Sequence, residues 1–265
     1  MFVERLIQKQ FGIAAIPFIT TGCMVASGCC MQGSGHITEE SRAIESFDKI
    51  RIELEADVVI SYGQTDTIEI QTDDNLMDHV ETRVVDNTLL IKSDVHECLD
   101  STKMEIRVST PSFSELKIDG SSDVRLDGAF ASESILLSID GSANIQDDEN
   151  LSADLLSVHI DGSGKIDLKD VDVNEIGIEI DGAGDIHLAG IAPIQTIDID
   201  GSGEIDAYGL ETKSTSIGID GSGTCKVNVT ETLTVHIDGS SEVYFLGSPS
   251  VEQSIDGSGI VKPAK

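Results

Sequence analysis

Between residues 113 and 262 the apolar positions follow one rule. Aligned on the Asp of Ile-Asp-Gly, the residue before the Asp is Ile in eight copies: Ile118, Ile139, Ile160, Ile180, Ile199, Ile219, Ile237 and Ile255. Three before the Asp stand Leu116, Leu137, Val158, Ile178, Ile197, Ile217 and Val235, and Gln253 breaks the column. Five after it stand Val124, Ile145, Ile166, Ile186, Ile205, Cys225, Val243 and Val261. The column seven after it is apolar too (Leu126, Leu168, Leu188, Ala207, Val227, Phe245), except at Asp147. Alternation on both sides of a fixed glycine predicts a strand, a tight turn and a second strand, each with inward residues. One such unit cannot cover its own apolar face, but stacked copies can. The pattern therefore predicts an all-β solenoid of two facing sheets. Successive Asp residues lie 21, 21, 20, 19, 20, 18 and 18 residues apart, which puts length variation in the loop opposite the turn. One repeat per coil gives eight rungs and a rod of roughly 40 Å; two per coil would give half as many coils. The periodicity fits both.

Gly after the Asp supplies positive φ for the reversal. The position two further on is always small: Ser122, Ala143, Gly164, Gly184, Gly203, Gly223, Ser241 and Gly259. A larger side chain there is expected to meet a neighbouring rung. The Asp itself is expected to accept hydrogen bonds from the amides of its own turn.

Residues 37–112 form a strand-rich segment of different texture. Asp48–Leu54, Val58–Tyr62, Thr67–Thr72, Leu89–Lys92 and Met104–Val108 alternate polar and apolar residues. Asp86-Asn-Thr reads as a hairpin turn, and Asp73–Val80 as one helical turn. Ahead of this, residues 1–28 have the order of an export signal: Arg5 and Lys9, an uncharged apolar run, then small residues. Val25-Ala-Ser-Gly-Cys29 resembles a bacterial lipobox, so Cys29 is the expected lipid-attachment residue and 29–36 a tether. The competing reading, a membrane-spanning anchor, is weakened by Pro17 and by an apolar run short of the ~20 residues a span needs. The chain is thus expected to be exported to the cell envelope, as an outer-membrane lipoprotein, touching membrane only through this leader. Cys30, Cys98 and Cys225 do not suggest a disulfide framework, and Cys225 falls in a core column.

Charge narrows the function. Lys and Arg total 17 against 48 Asp and Glu, a formal charge of −31. Phosphate backbones and anionic membrane surfaces would be repelled, which excludes nucleic acid as a partner. There is no Trp and aromatics are 4%, too few for a stacking platform. In-register stacking would line up the Asp residues. Unit charges ~4.8 Å apart repel by about 0.9 kcal/mol in bulk water and roughly 3.5 kcal/mol at an effective dielectric of 20. Two before the Asp stand Lys117, Ser138, His159, Glu179, Asp198, Gly218, His236 and Ser254. Glu179 and Asp198 would flank Asp181 and Asp200, with Asp161 and His159 one rung away. This oxygen-rich set would suit Ca²⁺; a solvated acidic face is the simpler alternative. No other cofactor is indicated.

Catalysis finds little support. Carboxylates are spread evenly, Arg125 is the only Arg after Arg107, and no GxSxG, HExxH or P-loop occurs. FDKIRIELEADVVISYG, DDNLMDHV, the hairpin and the GSG-centred repeats behind a lipoprotein-like leader together resemble the head GIN domain family, over about residues 40–262. That resemblance implies a β-helix-like superhelix with tight GSG turns, no retained catalytic set, and a role in adhesion. It implies no binding residues. The reading is therefore a non-catalytic envelope module for surface adhesion, its ligand a glycan or a protein. A polysaccharide lyase or hydrolase and a structural envelope protein without a dedicated ligand are the alternatives.

Overall fold

The computed structural model describes residues 30–95 and 98–264. The expected signal segment and Cys29 lie outside the described residues. The repeats form a solenoid with one repeat per coil, because each Asp pairs directly with the next: Asp119 with Asp140, Asp140 with Asp161, Asp161 with Asp181, and so on to Asp238 with Asp256. All these pairings are parallel. The strands leading into the turns form one sheet and those leaving them form a second. Several strands continue through the opposite corner, as in Asn144–Gly162, Lys165–Gly182 and Glu204–Gly221.

The core is a set of aliphatic columns between the sheets. Ile118, Ile139, Ile160, Ile180, Ile199, Ile219 and Ile237 are all buried, as are Val124, Ile145, Ile166, Ile186, Ile205, Cys225 and Val243. Complete burial of such a side chain contributes about 1.5–3 kcal/mol, so the columns dominate the folding energetics. Cys225 is a free thiol whose burial pushes its pKa up to about 12, which leaves it chemically inert.

The turns are held differently from expectation. The glycine after each Asp has φ between 120° and 139°. Its Cα hydrogen faces the carbonyl below: a Cβ on Gly141 would stand 2.6 Å from Gly120 O, and one on Gly201 2.4 Å from Gly182 O. The next amide donates to that same carbonyl, as in Ser142 N–H to Gly120 O (2.9 Å) and Ser202 N–H to Gly182 O (2.7 Å). Turn amides thus bond between rungs, and among the described residues none donates to the stacked Asp carboxylates. The small position points inward: a Cβ on Gly164 would meet Ile139 Cδ1 at 2.9 Å. The serines there are buried with bonded hydroxyls, Ser241 Oγ donating to Gly221 O at 3.1 Å and accepting from Gly223 N–H at 3.0 Å.

The segment before the repeats extends the same solenoid, out of chain order. Lys49–Glu53 and Asp57–Tyr62 stack on the first repeat, with Ile50 beside Leu116 and Val58 beside Val124. Thr88–Ser93 and Met104–Thr110 stack beyond them. Antiparallel strands then close this end: Val80–Val85 along one sheet, Thr67–Asp73 and Ile37–Arg42 along the other. The expected hairpin turn is present, with positive φ at both Asp86 and Asn87. The expected helical turn is the short 3-10 segment Met77–His79.

Two expectations near the N-terminus require correction. Cys30 and Cys98 form a disulfide, and Met31–Gln32 pairs with Leu99–Asp100. Residues 30–36, read as a tether, are therefore held against the capped end. Buried Asp73 completes the attachment by accepting from Gly35 N–H (2.6 Å) and Thr102 N–H (2.7 Å). Desolvation pulls its pKa up, but the hydrogen bonds it accepts, led by those from Thr102 and Gly35, together hold the carboxyl below its ordinary value. The pairing is non-local, the cysteines standing 68 positions apart, and their sequence spacing carries no sign of it.

The glycine contact makes a sharp prediction. Gly201→Ala should cost at least about 3 kcal/mol, combining a glycine-only φ with a backbone overlap. Gly177→Ala, where a Cβ would meet nothing within 4 Å, should be nearly neutral. Urea denaturation of both variants checks this, and equal midpoints would refute it.

Candidate functional site

The outward side of the turn-entering sheet carries two columns of side chains. One is the Asp column. The other begins with Arg51 and Lys117 and continues through Ser138, His159, Glu179, Asp198, Gly218, His236 and Ser254. The charges are distributed unevenly along them. Arg51 grips Asp119 at 2.6 Å, and Lys117 bonds Asp140 at 2.6 Å while reaching Asp119 at 3.5 Å. The hydrogen bond to Asp140 leads the causes that raise the Lys117 pKa, and the same bond lowers that of Asp140. Beyond this point the cations stop. Among the described residues, Asp161, Asp181, Asp200, Asp220, Asp238 and Asp256 have no Lys or Arg partner. Only His159 stands beside an acid here, its Nδ1 3.4 Å from Glu179.

A shallow groove on this face is lined by Glu179, Asp181, Asp198, Asp200, Asp220 and His236. Glu179 is the register partner of Asp198, and Asp181 of Asp200. Asp198 leans over Gly218, where a Cβ would stand 2.8 Å from its Oδ1. The six residues expected to share a cation, His159, Asp161, Glu179, Asp181, Asp198 and Asp200, thus lie on adjacent rungs of one face. They share that face rather than a common centre: among the described residues no group of three or more His, Cys, Asp or Glu is arranged to hold a metal ion. What the fold builds is a linear array of carboxylates at the rung spacing of ~4.8 Å.

The opposite sheet has another character, which sequence columns alone did not reveal. Several of its outward charges pair across rungs, Lys165 with Asp185 (3.4 Å) and Lys226 with Glu204 (3.1 Å) and Asp206 (3.4 Å). Lys262 lies over the Tyr244 ring at 4.9 Å. The signal was available as Lys or Arg at the outward positions following the turns, but it becomes a pattern only once the rung partners are known.

Asp147 is the carboxyl most removed from ordinary behaviour. It occupies the inward column between Leu126 and Leu168 and has no exposed surface. Its Oδ1 accepts from Glu149 N–H at 3.0 Å, while Oδ2 has no partner. Desolvation raises its pKa from 3.8 to about 6. A raised carboxyl in a cleft would suggest an acid catalyst. This one is sealed in the core and cannot touch a substrate.

Comparison with known proteins agrees with this architecture. The family described as "Putative auto-transporter adhesin, head GIN domain" matches residues 46–249. No curated protein matches the chain. A crystal structure named "Putative lipid binding protein" from Parabacteroides distasonis superposes with a TM-score of 0.85 at 24% identity, covering 89% of this chain and 99% of that one. A "putative adhesin" from Parabacteroides merdae gives 0.83 at 22% identity, with the same coverage. At these identities the likeness concerns the fold.

Two outcomes follow from the charges. Below pH 3.8 Asp147 is neutral folded or unfolded, and its burial carries no ionic penalty. As pH rises the unfolded chain loses this proton first, so stability falls until about pH 6, by about 3 kcal/mol in all. Asp147→Leu should therefore be more stable at pH 7, and the loss of stability between pH 4 and 6 should be absent from its own curve and appear as a rise in the variant-minus-wild-type difference. Denaturant midpoints across that range measure it. On the surface, Asp181→Asn with Asp200→Asn removes three neighbour repulsions of up to about 1 kcal/mol each and should raise the melting temperature by several degrees at low ionic strength. That gain should shrink as KCl screens the array.

Proposed function

The chain belongs to the head GIN domain family, and on that premise we propose that it is a non-catalytic, surface-exposed interaction module of the cell envelope. The observation that carries the reading is the unneutralised carboxylate array from Asp161 to Asp256 on one face of a rigid rod. Each carboxylate is a weak contact alone. Repeated at fixed spacing, they offer a multivalent strip to a partner with cations at matching intervals. Such a strip selects basic protein surfaces, or acidic glycans bridged by divalent cations. In the second case Glu179, Asp181, Asp198 and Asp200, with Asp161 and His159 beside them, supply the oxygen-rich stretch for Ca²⁺. Without a bridging cation the strip repels nucleic acid.

Attachment follows the same reading. Export by residues 1–28 and lipid on Cys29 would place the anchor one peptide unit before Cys30. Because Cys30 is bonded to Cys98 at the capped end, the lipid would hold that end near the membrane and present the strip and the far end outward.

The test is retention of the purified chain on whole bacterial envelopes at increasing KCl, with and without CaCl₂ at matched ionic strength. Binding should fall steeply with KCl, and Asp181→Asn with Asp200→Asn should weaken it about tenfold relative to wild type. Binding indifferent to both salt and substitution would reject the acidic strip as the contact surface. Conversion of uronate polymers by the chain would favour the polysaccharide-active enzyme instead.

A further inference from the structure

The two ends of the rod are built differently. At the N-terminal end the outermost strands are antiparallel additions rich in charge: Ile37–Arg42 carries Glu39, Glu40 and Arg42, and Val80–Val85 carries Glu81 and Arg83. Charged outer strands are a common protection against edge-to-edge pairing. At the C-terminal end, Ser250–Gly257 pairs on one side only, with the preceding rung. So does Ile260–Pro263. Among the described residues nothing covers either strand's other edge, and Val251, Ile255 and Ile260 are 39%, 37% and 41% exposed. Ile260–Pro263 is short and contains Lys262 and Pro263, both protective on an edge. Ser250–Gly257 has eight residues, no Lys and no Pro. Among the described residues it is an unprotected template for another strand.

We propose that the occupant of this edge is the same strand of a second copy, paired antiparallel about a two-fold axis at Gln253. The register is selected by the residues themselves. Val251, Gln253 and Ile255 continue the inward columns of Leu233, Val235 and Ile237, so inward must meet inward. Centring on Gln253 sets Val251 against Ile255 of the second copy, and Gln253 against its own counterpart. A primary amide both donates and accepts, so the two Gln253 side chains satisfy each other. The outward residues then pair Ser250 with Asp256 and Glu252 with Ser254, carboxylate against hydroxyl in every case. Moving the axis by one residue either way sets Glu252 against Glu252 or Glu252 against Asp256, each a like-charge pair. The break in the apolar column at Gln253 thus acquires a purpose: it lies on the axis.

Charge and area set the strength. The last rung, residues 250–263, has only Glu252, Asp256 and Lys262 as ionisable groups in a chain of formal charge −31, so two copies meet at a rung of low net charge. A strand of eight residues is about 27 Å long and the sheets are about 10 Å apart, so the contact falls below the 1,200 Å² of a standard interface. Self-association of the isolated chain is therefore expected to be weak and to show only at high protein concentration. Opposed ends also point the capped ends away from each other. Resting on the envelope reading above, this geometry lets chains on two facing surfaces join end to end, where many weak contacts act together.

Cysteine cross-linking tests the pairing. Gln253→Cys in the purified chain should form a disulfide-linked dimer under mild oxidation, in yield that rises with concentration. Ile37→Cys at the capped end should not, and mixing the two variants should give no mixed dimer. Sedimentation velocity supplies an independent measure: Ser254→Glu, which faces Glu252 twice across the axis, should weaken self-association about tenfold, and Ser214→Glu, in the middle of the rod, should leave it unchanged. A mixed 253–37 dimer would overturn the proposal in favour of head-to-tail stacking. Equal association of all variants, or none by wild type at several hundred micromolar, would also overturn it. Retention on envelopes is read separately, so loss of that binding leaves the dimer result intact.

Discussion

Everything in this rod depends on the contact between a turn glycine and the carbonyl of the turn before it. That carbonyl receives the next turn's amide at about 2.8 Å, as from Ser163 to Gly141, and leaves no room for a Cβ. The contact works only if each coil sits directly on its predecessor. It therefore imposes in-register stacking on the rest of the coil: Ile on Ile in the core, Asp on Asp outside. Variation in repeat length is pushed to the opposite corner, where the pairing shifts register between Leu168 and Val171 and again between Ala207 and Glu211.

In-register stacking has costs, and the structure handles them in different ways. Inside, identical aliphatic residues in columns pack well, so repetition stabilises. At Asp147 the same rule buries a carboxyl between two leucines with one oxygen unbonded. Outside, repetition of Asp accumulates like charge. Near the capped end Arg51 and Lys117 neutralise it; along the remaining rungs it is left to solvent and counterions. Exposed carboxylates at this spacing can be borne because the high dielectric of water keeps each repulsion near 1 kcal/mol, less than one buried isoleucine contributes.

The ends complete the account. A solenoid must stop somewhere, and an unpaired strand edge is chemically active. At one end the chain doubles back, closes the sheets with antiparallel strands and secures them with the Cys30–Cys98 bond and the Asp73 hydrogen bonds. At the other, among the described residues, the last coil pairs only with the rung before it. The asymmetry gives the rod a direction, from an end closed by antiparallel strands to an end whose last coil pairs on one side only.

The sequence by itself determined the repeat, the inward columns, the turn glycines, the all-β class and the hairpin at Asp86-Asn87. These are local properties, set by period-two alternation and by φ, and each can be read within about ten residues. The candidate residues His159, Asp161, Glu179, Asp181, Asp198 and Asp200 were legible as neighbours on one face for the same reason, since equal repeats stack equally. Only the tertiary structure decided that each repeat is one coil, that turn amides bond across rungs instead of to Asp, that residues 48–62 lie between 88–110 and the first repeat, and that Cys30 meets Cys98. Those features depend on which distant segments become neighbours. Alternation shows that a strand will pair; it does not show with which partner, because backbone hydrogen bonds are the same for every partner and only packing of the assembled core distinguishes them.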